Sequence, residues 1–238
     1  IEGIGTNPTL DANKTTGSKP AHRIFKVEAG KTLTLQNLTL KGGKASGTQN
    51  ADKCGGAIYA EGATVTMTGC TLTGNKADKG GGAIYAQKHT SSPYTPSNVT
   101  IEGGTIGGTG AGEPNKTIGP SGMGGGIYIG ANTTVTLQND AQIIGNTAKN
   151  GGGVYVTASD SIFKIKDTSR VIPSTGDEAN VAGKNDVYLD DQGLEANEAI
   201  RLMAKNMRHH YQKHYAEMRR RIETEAYLQP YRQLRDYY

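Results

Sequence analysis

The chain has no tryptophan, two phenylalanines and two cysteines in 238 residues, which excludes a core of large aromatic rings and a framework of several disulfides. No apolar run is long enough to span a bilayer, and no secretory-type apolar segment stands near Ile1, so no membrane span is expected. A start at Ile1 without Met reads as a mature or trimmed fragment. Surplus charge is scarce as well. Nine basic against six acidic residues beyond Gly193, in a chain of net charge +4, leave the first 193 residues with a surplus of one. That near-neutral body has no electrostatic footprint for nucleic acid, and none is expected as a partner. Glycine is missing from the whole segment after Gly193, although the residues up to it hold all 34.

What is present is repetition. GGAIYA begins at Gly55 and again at Gly81, GGGIYI at Gly124, GGGVYV at Gly151, and a degenerate NDVYL at Asn185. A second element precedes each: TLTLQNLTL from Thr32, TVTMTGCTL from Thr64, NVTIEGGTI from Asn98, TVTLQNDAQII from Thr134 and, more loosely, SIFKIKDTSRVI from Ser161. These runs are short, alternating and rich in Thr, Val, Ile and Leu, as strands with one buried face are. The tyrosines Tyr59, Tyr85, Tyr128, Tyr155 and Tyr188 are spaced by 26, 43, 27 and 33 residues. A fixed core with a variable period means that loops of different length leave a constant scaffold.

The expected fold is therefore all-β, a right-handed parallel β-helix of about five irregular coils over residues 1–193, with a C-terminal α-helical segment over 194–238. No helical period separates the strands, which rules out a βαβ arrangement. An antiparallel sandwich is the main rival, but it leaves the repeated order of whole units unexplained. Alternation places Leu33, Val65, Val99 and Val135 inward as one ladder. Leu35, Met67, Ile101, Leu137 and Ile165 form a second, and Ile58, Ile84, Ile127, Val154 and Val187 a third. Thr34, Thr66, Thr100 and Thr136 then face outward in one column and the five tyrosines in another. The glycine pairs ahead of each tyrosine suit tight corners needing a left-handed backbone or close chain approach. Cys54 and Cys70 fall at non-equivalent points of successive repeats, so they are expected to be free and packed rather than bonded.

The alternation of GGA[ILV] with FxxN resembles the repeats of the chlamydial polymorphic outer membrane proteins and related autotransporter passengers. Gly55 to Ile58 and Gly81 to Ile84 match the first motif, and Gly125 to Ile127 and Gly152 to Val154 match it approximately. Leu72 to Asn75 and Ile143 to Asn146 match the second with an aliphatic residue in place of Phe. The resemblance covers roughly residues 24–190. It implies a β-helical scaffold, an extracellular or bacterial cell-surface location and an adhesive role rather than a reaction.

Beyond Gly193, Ile200, Met203, Met207, Tyr211, His214, Met218 and Ile222 follow the spacing of one face of an amphipathic helix, which Pro230 should end. Such a helix could cap the open end of the last coil, be a grafted foreign segment, or bind a partner helix. His210 and His214 have metal-ligand spacing without a third ligand, and Arg219, Arg220 and Arg221 read as a charged stripe. No metal and no cofactor are expected.

Three functions compete. Polysaccharide cleavage needs converging acidic groups, and the adjacent Asp190 and Asp191 face opposite ways on a strand, so no catalytic residue is assigned and the chain is not expected to be an enzyme. A threonine array could order water as ice-binding solenoids do, but threonine is favoured on exposed strands anyway. The tyrosine column could stack on sugar rings, yet a self-contacting ladder stabilises a solenoid without any ligand. Binding is better sought in variable loops. The two longest run from Gln87 to Ser97 and from Gly107 to Gly122, and His89, Tyr94, Glu113 and Asn115 are the candidate contacts. The expected partner is a host or neighbouring-cell surface ligand, a glycan or a protein.

Overall fold

In the computed structural model of the chain, the described residues are 1–6, 8–12, 22–157, 160–172 and 187–190. Backbone contacts divide the chain into Ile1–Leu194 and Glu195–Tyr238. The segment expected to be helical, with His210, His214 and Arg219–Arg221, lies outside the described residues, as does Asp191.

Every paired strand is parallel, and the chain passes through four sheets in cyclic order. The tyrosine sheet holds Phe25–Val27, Ile58–Glu61, Ile84–Gln87, Ile127–Ile129, Val154–Val156 and Val187–Leu189. The threonine sheet holds Thr32–Gln36, Thr64–Thr68, Ser97–Glu102, Thr133–Gln138 and Ile162–Ile165. A third contains Thr9–Asp11, Thr39–Lys41, Thr71–Thr73, Thr105–Gly107, Gln142–Ile144 and Arg170–Ile172. The short lysine sheet holds Lys44–Ala45, Lys76–Ala77 and Lys116–Thr117. Each strand pairs with its equivalent one repeat away, so the chain is all-β, with parallel sheets of regularly spaced strands consistent with a β-helix solenoid. An antiparallel sandwich is excluded. The tyrosine sheet has six strands because Phe25–Val27 adds a coil ahead of the first tyrosine, with Lys26 in register with Tyr59. A lysine in the tyrosine place hid that coil from the repeat count.

The registers match the alternation. Leu33, Val65, Val99, Val135 and Phe163 stand on successive strands, as do Leu35, Met67, Ile101, Leu137 and Ile165. Ile58, Ile84, Ile127, Val154 and Val187 form the third ladder. All but the end residues Leu33, Ile165 and Val187 are buried. Stacked like on like at roughly 4.8 Å, these side chains fill the interior without large rings.

Two glycines explain the corner before each tyrosine strand. Gly81 has φ +60 and a Cβ there would strike the carbonyl of Ile84, so only a residue without Cβ fits. The next, Gly82, packs against the carbonyl of Gly125 and the backbone of Lys116, which is close approach rather than special φ. Cys54 and Cys70 are both buried and unbonded. Burial pushes the Cys54 thiol up to about 11 and raises that of Cys70 as well.

Candidate ligand-binding loops and the tyrosine column

The five tyrosines stack as a continuous column, with ring centroids 5.3, 4.4, 5.6 and 5.1 Å apart and planes within 9° of parallel. Coil spacing dictates this, since in-register rings on adjacent parallel strands have nowhere else to go. The column points away from the aliphatic core, as alternation expects, yet it is covered, with Tyr59 2% and Tyr155 5% exposed. The rings lean on one another and on the corners; Gly80, for example, sits against the edges of Tyr85 and Tyr128. Their hydroxyls are engaged: Tyr59 donates to Glu61 Oε2 (3.1 Å), Tyr85 to Gln87 Oε1 (2.8 Å) and Tyr155 to Asp190 Oδ2 (2.7 Å). Burial pushes the phenols of Tyr59, Tyr85, Tyr128 and Tyr155 up from their ordinary value. Rings this covered offer little face to a sugar. The threonine column changes along its length too, from exposed Thr34 through half-buried Thr66 and Thr100 to Thr136 at 9% exposure.

The loop from Gln87 to Ser97 is tied down at both ends and in the middle. Ser97 Oγ donates to the carbonyl of Gln87 (2.6 Å) and accepts from the Ala63 amide (3.1 Å). His89 N donates to the carbonyl of Thr95 (2.8 Å), and the Ser92–Pro93 peptide is cis. Thr90 donates from its amide and hydroxyl to Glu61 Oε1, the carboxylate whose other oxygen holds Tyr59. The same glutamate thus joins the column to the loop. His89 is half-buried, with Nδ1 donating to the carbonyl of Ser91 (2.8 Å). Tyr94 is 61% exposed, with the Lys88 ammonium 5.7 Å from its ring centroid.

The loop from Gly107 to Gly122 divides its two candidates. Glu113 is exposed, but its carboxylate accepts from the Gly110 amide (2.7 Å) within its own loop, and its carbonyl accepts from Gly74 N and Thr73 Oγ1. Asn115 is corrected outright: it is 0% exposed and belongs to the core. Its Oδ1 accepts from the amide and the Nδ2 of Asn75 (2.9 and 2.8 Å), while its Nδ2 donates to Leu72 O (2.8 Å) and Asn146 Oδ1 (2.9 Å). That uses all four hydrogen-bonding positions of the amide, so none remains for a ligand. Asn75, Asn115 and Asn146 form a buried ladder at one corner. Two of them close the motifs LTGN and IIGN, but the insertion moved Asn115 out of that frame and disguised it as a loop residue. The tetrads GGKA from Gly42, GNKA from Gly74, PNKT from Pro114 and GNTA from Gly145 carried the missing signal.

Among the described residues no group of three or more His, Cys, Asp and Glu is placed to hold a metal ion, and no helix is long and apolar enough to cross a membrane. Residues 69–87 match the model of the Chlamydia polymorphic membrane protein repeat. The matched stretch runs from the strand Thr71–Thr73 through Asn75 to the strand Ile84–Gln87, so it contains one rung each of the asparagine and tyrosine ladders. No curated protein and no solved structure gives a match.

Proposed function

We propose that this chain is a non-catalytic module of a bacterial surface protein, in which stacked coils hold loops for adhesion to a ligand on a host or neighbouring cell. The observation that carries the reading is Tyr94, a large aromatic left 61% exposed on a loop that hydrogen bonds tie to itself and to the scaffold. A ring held out by a fixed backbone binds without a large ordering cost, as recognition loops require. The Chlamydia polymorphic membrane protein repeat match over residues 69–87 supports a surface location. Glycan-array and host-protein binding should fall on Tyr94→Ala and on shortening residues 87–97. Turnover of a polysaccharide, lost on replacing an acidic residue, overturns the reading.

A further inference from the structure

The lysine sheet places three cations in one column. Lys44, Lys76 and Lys116 are in register on successive parallel strands. Their inward neighbours are Ala45, Ala77 and Thr117, all buried, so the lysines project from the opposite face. Like charges directly opposite each other across strands are destabilising. The mounting is stiff: the buried asparagine ladder precedes the sheet, and the backbones of Gly56 and Gly82 press against those of Lys76 and Lys116.

Beside the column runs an open groove of about 470 Å³ lined by Lys41, Lys76 and Lys116, with Pro114, the floor glycines Gly42, Gly74 and Gly112, and Thr147. Asp11, in register with Lys41, stands at one end. These residues come from five successive passes of the chain, so the groove crosses the coils. Its wall at Gly112 and Pro114 comes from the insertion, whereas Lys116 belongs to the scaffold strand Lys116–Thr117.

We infer that this groove binds a linear acidic polysaccharide, its carboxylate or sulfate groups meeting the ammonium groups of Lys41, Lys76 and Lys116 along the coil stack. A groove crossing the coils suits an extended chain: Lys76 and Lys116 stand in register one coil apart at roughly 4.8 Å, and Lys41 lies on the neighbouring sheet one coil earlier, a set of cations that suits a chain with repeated anionic groups. Lysines act as point charges adaptable to either anion. No aromatic side chain lines the groove, which disfavours single-stranded nucleic acid, whose bases need stacking platforms. The inference rests on the reading of the chain as a binding module but uses a face other than the Tyr94 loop.

The test is binding of the full chain to heparin and to hyaluronate, with neutral dextran and a single-stranded oligonucleotide for comparison. Affinity for one or both acidic polysaccharides should exceed that for dextran and for the oligonucleotide, and should fall as salt rises. Lys76→Ala with Lys116→Ala should weaken it about tenfold or more, while Lys164→Ala with Lys166→Ala, the same loss of charge on and just after the threonine sheet, should leave it unchanged. Thermal melting of both variants shows that they are folded. Binding absent in the wild type, equal loss in both variants, no loss in either, or tighter binding of the oligonucleotide overturns the inference. Tyr94→Ala separates the two readings: polysaccharide binding lost there and retained in the lysine variant rejects the groove and leaves the loop standing.

Discussion

Arg23 lays its guanidinium on the ring of Tyr59, 4.9 Å from the centroid, and closes the tyrosine column at its first end. Its Nε donates to the carbonyls of Cys54 (3.2 Å) and Gly55 (3.0 Å), and its Nη2 to those of Ala51 and Cys54. One side chain thereby satisfies three carbonyls at a corner and covers an aromatic face. Arg23→Ala should cost about 2–3 kcal/mol in denaturant unfolding, and Arg23→Lys should recover less than half, because an ammonium cannot spread over a ring and bond several carbonyls at once. A loss under 0.5 kcal/mol for Arg23→Ala would mean the column needs no such end.

The asparagine ladder gives a sharper contrast. Asn115→Ala removes four side-chain hydrogen bonds and leaves the Asn75 amide, the Leu72 carbonyl and the Asn146 side chain short of partners, so it should cost about 3 kcal/mol or more. Glu113→Ala, two residues away and exposed, loses one bond to its own loop and should cost under about 1 kcal/mol. Similar values for the two in urea unfolding would return Asn115 to the class of surface residues.

Position-two alternation and the repeated glycine pairs made the strands, their order and all three aliphatic ladders legible in the sequence, because register in a parallel stack follows directly from side-chain period. Exposure was not legible at the tyrosines. Tyr59 points away from the core, as alternation requires, and is still covered, because Arg23 and Tyr85 come from elsewhere in the chain. Asn115 was misread because position within an insertion says nothing of where the chain rejoins the scaffold. The lysine column escaped notice since two-residue strands have no visible period, and only the recurrence of Lys-Ala and Lys-Thr marked them.

Thr117 breaks a column of alanines. It stands in register with Ala77, which pairs with Ala45, and its buried Oγ1 has no hydrogen-bond partner. Thr117→Val keeps the shape and removes the stranded hydroxyl, so unfolding should become about 1 kcal/mol less favourable, a rise of a few degrees in melting temperature. A destabilised Val variant would require a partner for that hydroxyl.

The covered phenols set how the fold responds to alkali. A phenol is neutral when protonated, and burial raises the folded-state value of Tyr59, Tyr85 and Tyr155 above the ordinary value near 10. Folded chains then hold protons that unfolded chains release. The stabilisation is fully present below about pH 10 and is lost as pH rises beyond it. Ultraviolet titration should show these tyrosines ionising together with unfolding rather than before it. Tyr85→Phe should shift the alkaline midpoint upward relative to its stability at neutral pH, since one raised group is gone. Phenolate absorbance from Tyr59, Tyr85 and Tyr155 before any loss of β-sheet circular dichroism would show that these rings are open to water.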